Sequence, residues 1–278
     1  MVRIKRKQVA GMNCHYYNYS LDYFLKAQES LGFQTVALWG GAPHFDLDYL
    51  SYSDCNLIRK KAEAHGLKIE CFTAASCTYG YQMCMQPREL LEKSIEYFKN
   101  GIQAASELGC SMMVTNSGWG YWNEKRESAW NRSVEMLAIL SGEAEKYGIT
   151  LTMESLRRAE SQLVVTLEDA KRMFDEVSHS SLKMMIDTTA IGVANETIQQ
   201  WFDVFGASIV NTHFVDGTPY GHLAWGDGKM PLEKMLDCFQ ENGYFGLLGL
   251  EITDPRYYKN PTDADKKNMQ TLERYFDE

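Results

Sequence analysis

No two cysteines of this 278-residue chain form a Cys-x-x-Cys pair, and the seven present, at 14, 55, 71, 77, 84, 110 and 238, are an odd and scattered set. A disulfide framework and a cysteine-rich zinc site are set aside, and the thiols read as reduced, several of them in the core. No apolar run reaches the length of about 18 residues that a membrane helix needs, and the basic start MVRIKRKQ lacks the apolar stretch of a secretory signal. The expected location is therefore the cytoplasm. Positive charge is in deficit: 28 Lys and Arg stand against 37 Asp and Glu, for a formal charge of -9. Such a surface favours neither nucleic acid nor an anionic membrane as partner. Gly-x-Gly-x-x-Gly, Walker A and Gly-x-Ser-x-Gly motifs are all missing, which removes the dinucleotide, P-loop and serine-hydrolase readings. The Gly-Asp-Gly at 226–228 has only Lys229 as an adjacent base, a weak phosphate site. Linkers rich in Pro, Gly or Ser are lacking too, so residues 1–278 read as one domain, and at 45% hydrophobic they bury one large core.

What is present is a repeated alternation. Short runs of strand character at 9–13, 34–39, 67–72, 110–115, 149–154, 182–187, 208–213 and 246–251 are separated by stretches of helical period at 21–31, 54–65, 88–108, 127–147, 166–177, 195–205, 231–241 and 262–276. Gly32, Gly66, Gly109, Gly148 and Gly243 stand just past helical stretches, where a left-handed cap suits glycine. Eight such units predict a (β/α)8 TIM barrel, an α/β fold whose strand ends all face one mouth.

Four polar residues end four successive apolar runs: Glu154 in ITLTMES, Asp187 in LKMMIDT, His213 in IVNTHF and Glu251 in GLLGLEI. In an open sheet, four sequential strands would spread them over roughly 15 Å. In a barrel they converge, provided that their positions align to within about one residue along the strands. A single acidic residue at a strand end is commonly a helix cap or a solvated turn. Four polar ends in successive units are harder to explain so, because the three carboxylates among them repel one another unless a cation or protons compensate. Three carboxylates and one imidazole suit Mn²⁺, Mg²⁺, Co²⁺ or Fe²⁺ better than structural zinc. Such a cation, with open positions for a hydroxyl and a carbonyl, stabilises the enediolate formed when an α-hydroxyketone loses the proton beside its carbonyl.

This plan and these four strand ends resemble the xylose-isomerase-like barrels, especially the ketose 3-epimerases that act on tagatose and psicose. The resemblance spans nearly the whole chain and is strongest from 149 to 255. It implies that Glu154, Asp187, His213 and Glu251, at intervals of 33, 26 and 38 residues, bind Mn²⁺ or a similar ion. It further implies that Glu154 and Glu251 exchange protons with opposite faces of the substrate and that Glu160, in ESLRRAE, helps to hold the sugar. The family usually carries a histidine three residues after the metal aspartate, where this chain has Ala190, and an arginine shortly after the metal histidine, where it reads VDGTPYGH. Both departures remove partners for the oxygens of a small free ketose.

Other residues offer replacements. In THFVDGTPYGHLAWGDG, Asp216 either orients His213 or closes a turn, His222 is a candidate proton donor, and Trp225 is a candidate stacking surface for a sugar. Aromatics crowd the expected strand-to-helix loops, among them Tyr17, Trp39, Tyr121 and Trp122, and His15 and Trp119 are further candidate substrate contacts. Gly118 and Gly120 would let the loop after strand 4 close over the site. The leading function is a metal-dependent isomerase or epimerase of a keto sugar. The alternative is a lyase that eliminates the aglycone from a 3-oxo sugar conjugate, as in C-glycoside deglycosidases, with His222 as acid. A non-enzymatic sugar-binding barrel would not require two bases on one cation. The resemblance and the surplus of aromatics favour a homo-oligomer or a complex with a small second subunit.

Overall fold

The computed structural model describes residues 4–76 and 80–277, and Cys77 lies outside them. Strands β1 (Val9–Met12), β2 (Thr35–Gly40), β3 (Lys68–Ala74), β4 (Met112–Asn116), β5 (Thr150–Glu154), β6 (Leu182–Asp187), β7 (Ile209–His213) and β8 (Leu248–Leu250) follow chain order around a closed parallel barrel. Around them lie α1 (Leu21–Ser30), α2 (Tyr52–Ala64), α3 (Arg88–Glu107), α4 (Arg126–Tyr147), α5 (Leu167–Val177), α6 (Thr188–Val193), α7 (Ile198–Phe205), α8 (Leu232–Glu241) and α9 (Pro261–Leu272). The expected (β/α)8 barrel is the observed one, with α6 as an unexpected ninth helix among the described residues. Among the described residues no helix is long and apolar enough to cross a membrane.

Local chemistry sets the helix ends. Ser51 and Asp54 form a reciprocal capping box on α2, Thr197 and Gln200 do the same on α7, and Ser20 accepts the Tyr23 amide at the start of α1. Gly148 ends α4 at φ 66°, a left-handed turn in which a β-carbon would be strained. The helix formed by Thr188–Val193 has another origin. Apart from Ala190 its residues TTAIGV are β-branched or glycine and weak helix formers, yet Asp187 Oδ1 accepts the amides of Thr189 at 2.7 Å and Ala190 at 3.0 Å, so a buried side chain nucleates the turn.

Two apolar layers support the mouth. Ala10, Met12, Ala37, Cys71, Val114, Met185 and Leu247 pack inside the barrel, while large side chains such as Phe72, Phe98, Trp130 and Trp201 fill the layer between strands and helices. Six cysteines among the described residues are free thiols, four of them buried, as expected.

The register decides what meets at the mouth. Asp187 pairs with His213 across β6 and β7, but the other two steps are staggered. Met153 pairs with Met184, so Glu154 stands level with residue 185 and Asp187 lies two positions further along. His213 pairs with Gly249, so Glu251 is again two positions further. The sequence reading required alignment to within about one residue; the observed offset of two follows from strand tilt in a closed barrel, and because side chains alternate, an even offset keeps all four side chains on the inner face.

Candidate metal centre

Glu154, Asp187, His213 and Glu251 each offer one donor atom, and these atoms all lie within 4.8 Å of one another. His213 Nδ1 stands 2.6 Å from Glu154 Oε1 and 3.2 Å from Glu251 Oε2, with Asp187 Oδ2 at 4.0 Å. Asp187 divides its carboxylate: Oδ1 caps α6 and also accepts the Thr189 hydroxyl at 2.8 Å, while Oδ2 faces the cluster. The second imidazole, His222, reaches in from the loop after β7, with Nε2 3.1 Å from Asp187 Oδ2 and Nδ1 2.9 Å from Glu251 Oε2. Sequence reasoning anticipated His222 as a proton donor but could not set it between two of the four cluster residues.

The electrostatics are those of crowded carboxylates removed from water. Burial pushes the Glu154 carboxyl up, to about 7, against the pull of His213. For Asp187 and Glu251 burial acts in the same upward sense but is outweighed: His222 and His213 hold both carboxyls below their ordinary range. For the imidazoles burial alone would lower the pKa, yet Glu251 and Glu154 raise His213 to about 9, and Asp187 and Glu251 carry His222 well above its usual value. The two imidazoles thus hold their protons because carboxylates surround them, and a divalent cation answers the same concentration of negative charge. Three oxygens and one nitrogen form a donor set that fits such an ion.

A cavity of about 580 Å³ opens over the cluster. Its lining includes Cys14, Asn116, Tyr17, Trp39 and Tyr258, with Tyr17 and Tyr258 meeting edge to face at 4.7 Å. Glu160 lines the cavity as well, locked to Arg157, whose backbone amide and Nε each donate to Oε2 at 3.0 Å. A second guanidinium nitrogen bonds the other oxygen, so Glu160 enters the site as half of an ion pair. Ala190 is a lining residue, and it presents only a methyl group there.

Other candidates lie elsewhere. His15 is wholly buried, with Nε2 3.3 Å from Asp265 Oδ1, and does not line the cavity. Trp225 is 1% exposed; its ring lies 4.5 Å from that of Phe214, and its Nε1 donates to the Phe214 carbonyl at 3.1 Å, beneath the loop rather than over a ligand. Trp119 packs edge-on against Tyr121 at 4.8 Å outside the cavity lining. Its loop is anchored rather than free to close: the Gly118 carbonyl accepts from Ser161 at 2.6 Å, and the Tyr121 carbonyl accepts from Gln162 at 2.7 Å. Asp216 points into its own loop. Arg157, Asn116 and Tyr258 were not singled out from sequence, although Asn116 ends β4 as the four cluster residues end their runs, and this pattern could have found it.

The sequence model of the family described as "Xylose isomerase-like TIM barrel" matches residues 25–275. The fructoselysine 3-epimerase of Shigella flexneri is 25% identical over 269 residues, covering 94% of each chain. Among solved structures, the D-psicose 3-epimerase of Clostridium cellulolyticum H10 with D-tagatose superposes at a TM-score of 0.80 with 15% identity, over 96% of this chain and 98% of that one. An IOLI protein with a bound zinc atom superposes at 0.79 with 20% identity, over 98% and 100%.

Proposed function

Because the chain belongs to the xylose isomerase-like TIM barrel family, we propose that it is a divalent-cation-dependent epimerase or isomerase of a keto sugar. The observation that carries this reading is the convergence of Glu154, the last residue of β5, and Glu251, the first residue past β8, on one imidazole nitrogen at 2.6 and 3.2 Å. These strands are separated by β6 and β7, so the two carboxylates approach the cavity from different directions. One removes the proton beside the carbonyl, and the other returns a proton to the opposite face. Glu154, Asp187, His213 and Glu251 would hold the cation, Mn²⁺ first among candidates, which when bound polarises substrate oxygens and offsets the negative charge that develops as the proton leaves. His222 and the Arg157–Glu160 pair orient the sugar through its hydroxyls. The relative named fructoselysine 3-epimerase supports a ketose or a ketose conjugate as substrate.

A specific observation favours a second reading, elimination from a 3-oxo sugar conjugate. The cavity lies within the volume range that takes drug-sized ligands, Tyr17, Trp39 and Tyr258 are among its lining residues, and Ala190 presents only a methyl group to it. His222 would then protonate the departing group.

The test is deuterium uptake from solvent by D-fructose, D-tagatose, D-psicose and a 3-oxo-glucoside, using protein of measured Mn²⁺ content. Glu154→Gln and Glu251→Gln keep side-chain size and lose proton transfer. Normal exchange in both metal-loaded variants would remove the glutamates from the mechanism. Exchange by the parent protein on the glycoside alone, with release of its aglycone, would favour the lyase.

A further inference from the structure

The loop that carries His222 is folded around one carboxylate. Asp216 is 2% exposed, and its oxygens accept four backbone N–H groups: Oδ1 from Gly217 at 2.8 Å and Met230 at 2.9 Å, Oδ2 from Gly226 at 2.9 Å and Gly228 at 2.8 Å. The donors run from Gly217, the first residue after Asp216, to Met230, two positions before the start of α8, so one side chain gathers nearly the whole loop. Asp216 and Leu223 also exchange backbone hydrogen bonds, 3.0 Å and 2.9 Å long, which fixes the residue beside His222. The His222 carbonyl accepts the Thr253 amide at 3.3 Å, two residues past Glu251.

Elsewhere the loop is held by Trp225, whose amide donates to Asn268 Oδ1 at 2.7 Å, and by the Asp227–Lys267 ion pair, but its backbone is rich in glycine. Positions 217, 221, 226 and 228 are glycines, each with more backbone freedom to lose than any other residue. Gly228 cannot readily be anything else, because a β-carbon there would lie 2.3 Å from Asp216 Oδ1 and 2.6 Å from the Gly217 amide. Sequence and geometry therefore agree: the glycines let the amides converge, and the buried carboxylate answers them with hydrogen bonds that it could not forgo without a desolvation cost. Asp216 itself does not line the cavity.

We infer that Asp216 is a positioning residue, which holds His222 at its distances from Asp187 and Glu251 and so readies that imidazole to meet substrate. The last clause rests on the sugar-epimerase reading; the structural part does not. Two variants attack the staple from opposite sides. Asp216→Asn sets an amide nitrogen against two of the N–H donors, and Gly228→Ala crowds the carboxylate while leaving it in place.

The readout is mass-spectrometric mapping of diethyl pyrocarbonate modification at each histidine of the intact protein. In both variants His222 is expected to react about tenfold faster, with His213 and His44 within about twofold of the parent, because only the loop opens. An unchanged His222, or an equal rise at all three, overturns the inference. Where the parent exchanges substrate deuterium, Asp216→Asn should lose as much exchange as His222→Gln, and the double variant should lose no more. Independent, multiplicative losses would show that Asp216 acts by another route and would also overturn it. Should the parent exchange deuterium with no sugar, the epimerase reading fails while the histidine map still decides the role of Asp216.

Discussion

His213 Nδ1 lies 2.6 Å from Glu154 Oε1 although their strands are not neighbours: β6 stands between them and contributes Asp187. The two side chains lean across the end of β6, so removal of Asp187 takes a charge from the middle of the set. Asp187→Ala should weaken Mn²⁺ binding about tenfold or more, a loss at least as large as for altered residues one step removed from a metal. Calorimetric titration and elemental analysis check this, and full Mn²⁺ occupancy at an unchanged dissociation constant would refute the four-residue set. Because Asp187 Oδ1 also caps α6, Asp187→Asn, which keeps a capping oxygen, separates ligand loss from helix loss.

A second expectation concerns closure of the ring of helices. Asp265 on α9 is fully buried and accepts the Tyr16 hydroxyl at 2.7 Å and Gln28 Nε2 at 2.6 Å, tying the last helix to the first and to the loop after β1. Asp265→Ala leaves these donors and His15 facing an empty space. The expected cost is about 3 kcal/mol or more, in the range for breaking a buried polar network. Urea denaturation measures it, and a loss below about 1 kcal/mol would show that the network is dispensable.

Acid should erase one contact in a known direction. Burial would raise the Asp227 carboxyl, but Lys267 and the Tyr257 hydroxyl, 2.6 Å from Oδ2, outweigh it and hold the group below its ordinary value. A carboxyl lowered in the folded state stabilises at full strength above its unfolded pKa of about 4 and loses that contribution as pH falls through the folded value. Asp227→Asn should therefore be less stable than the parent at pH 6, by about 1 kcal/mol or less because the pair is partly exposed, with the gap narrowing toward pH 3. A gap that is constant across this range, from urea midpoints, would place the stabilisation elsewhere.

The barrel was legible because strand runs and amphipathic stretches alternate without interruption and because glycines punctuate the helix ends. The four cluster residues were legible because a polar residue closing an apolar run is conspicuous. Helix α6 was not, since TTAIGV carries no helical signal and owes its turn to hydrogen bonds that its backbone amides donate to Asp187. Trp225 and His15 misled for a related reason: composition marks a residue as able to stack or donate, whereas only packing reveals that Trp225 lies against Phe214 and that His15 faces Asp265. Arg157 was passed over in ESLRRAE because nothing in that segment distinguishes it from Arg158, its neighbour.

The stagger between β5 and β6, and again between β7 and β8, gives the site a parity. Adding one residue within β6 ahead of Asp187 would turn that carboxylate toward the helices while the barrel could still close; adding two would return it to the lumen one level higher. Changes of length in the loops are free of this constraint. A chain built this way can vary its rim widely, but its centre moves only in double steps.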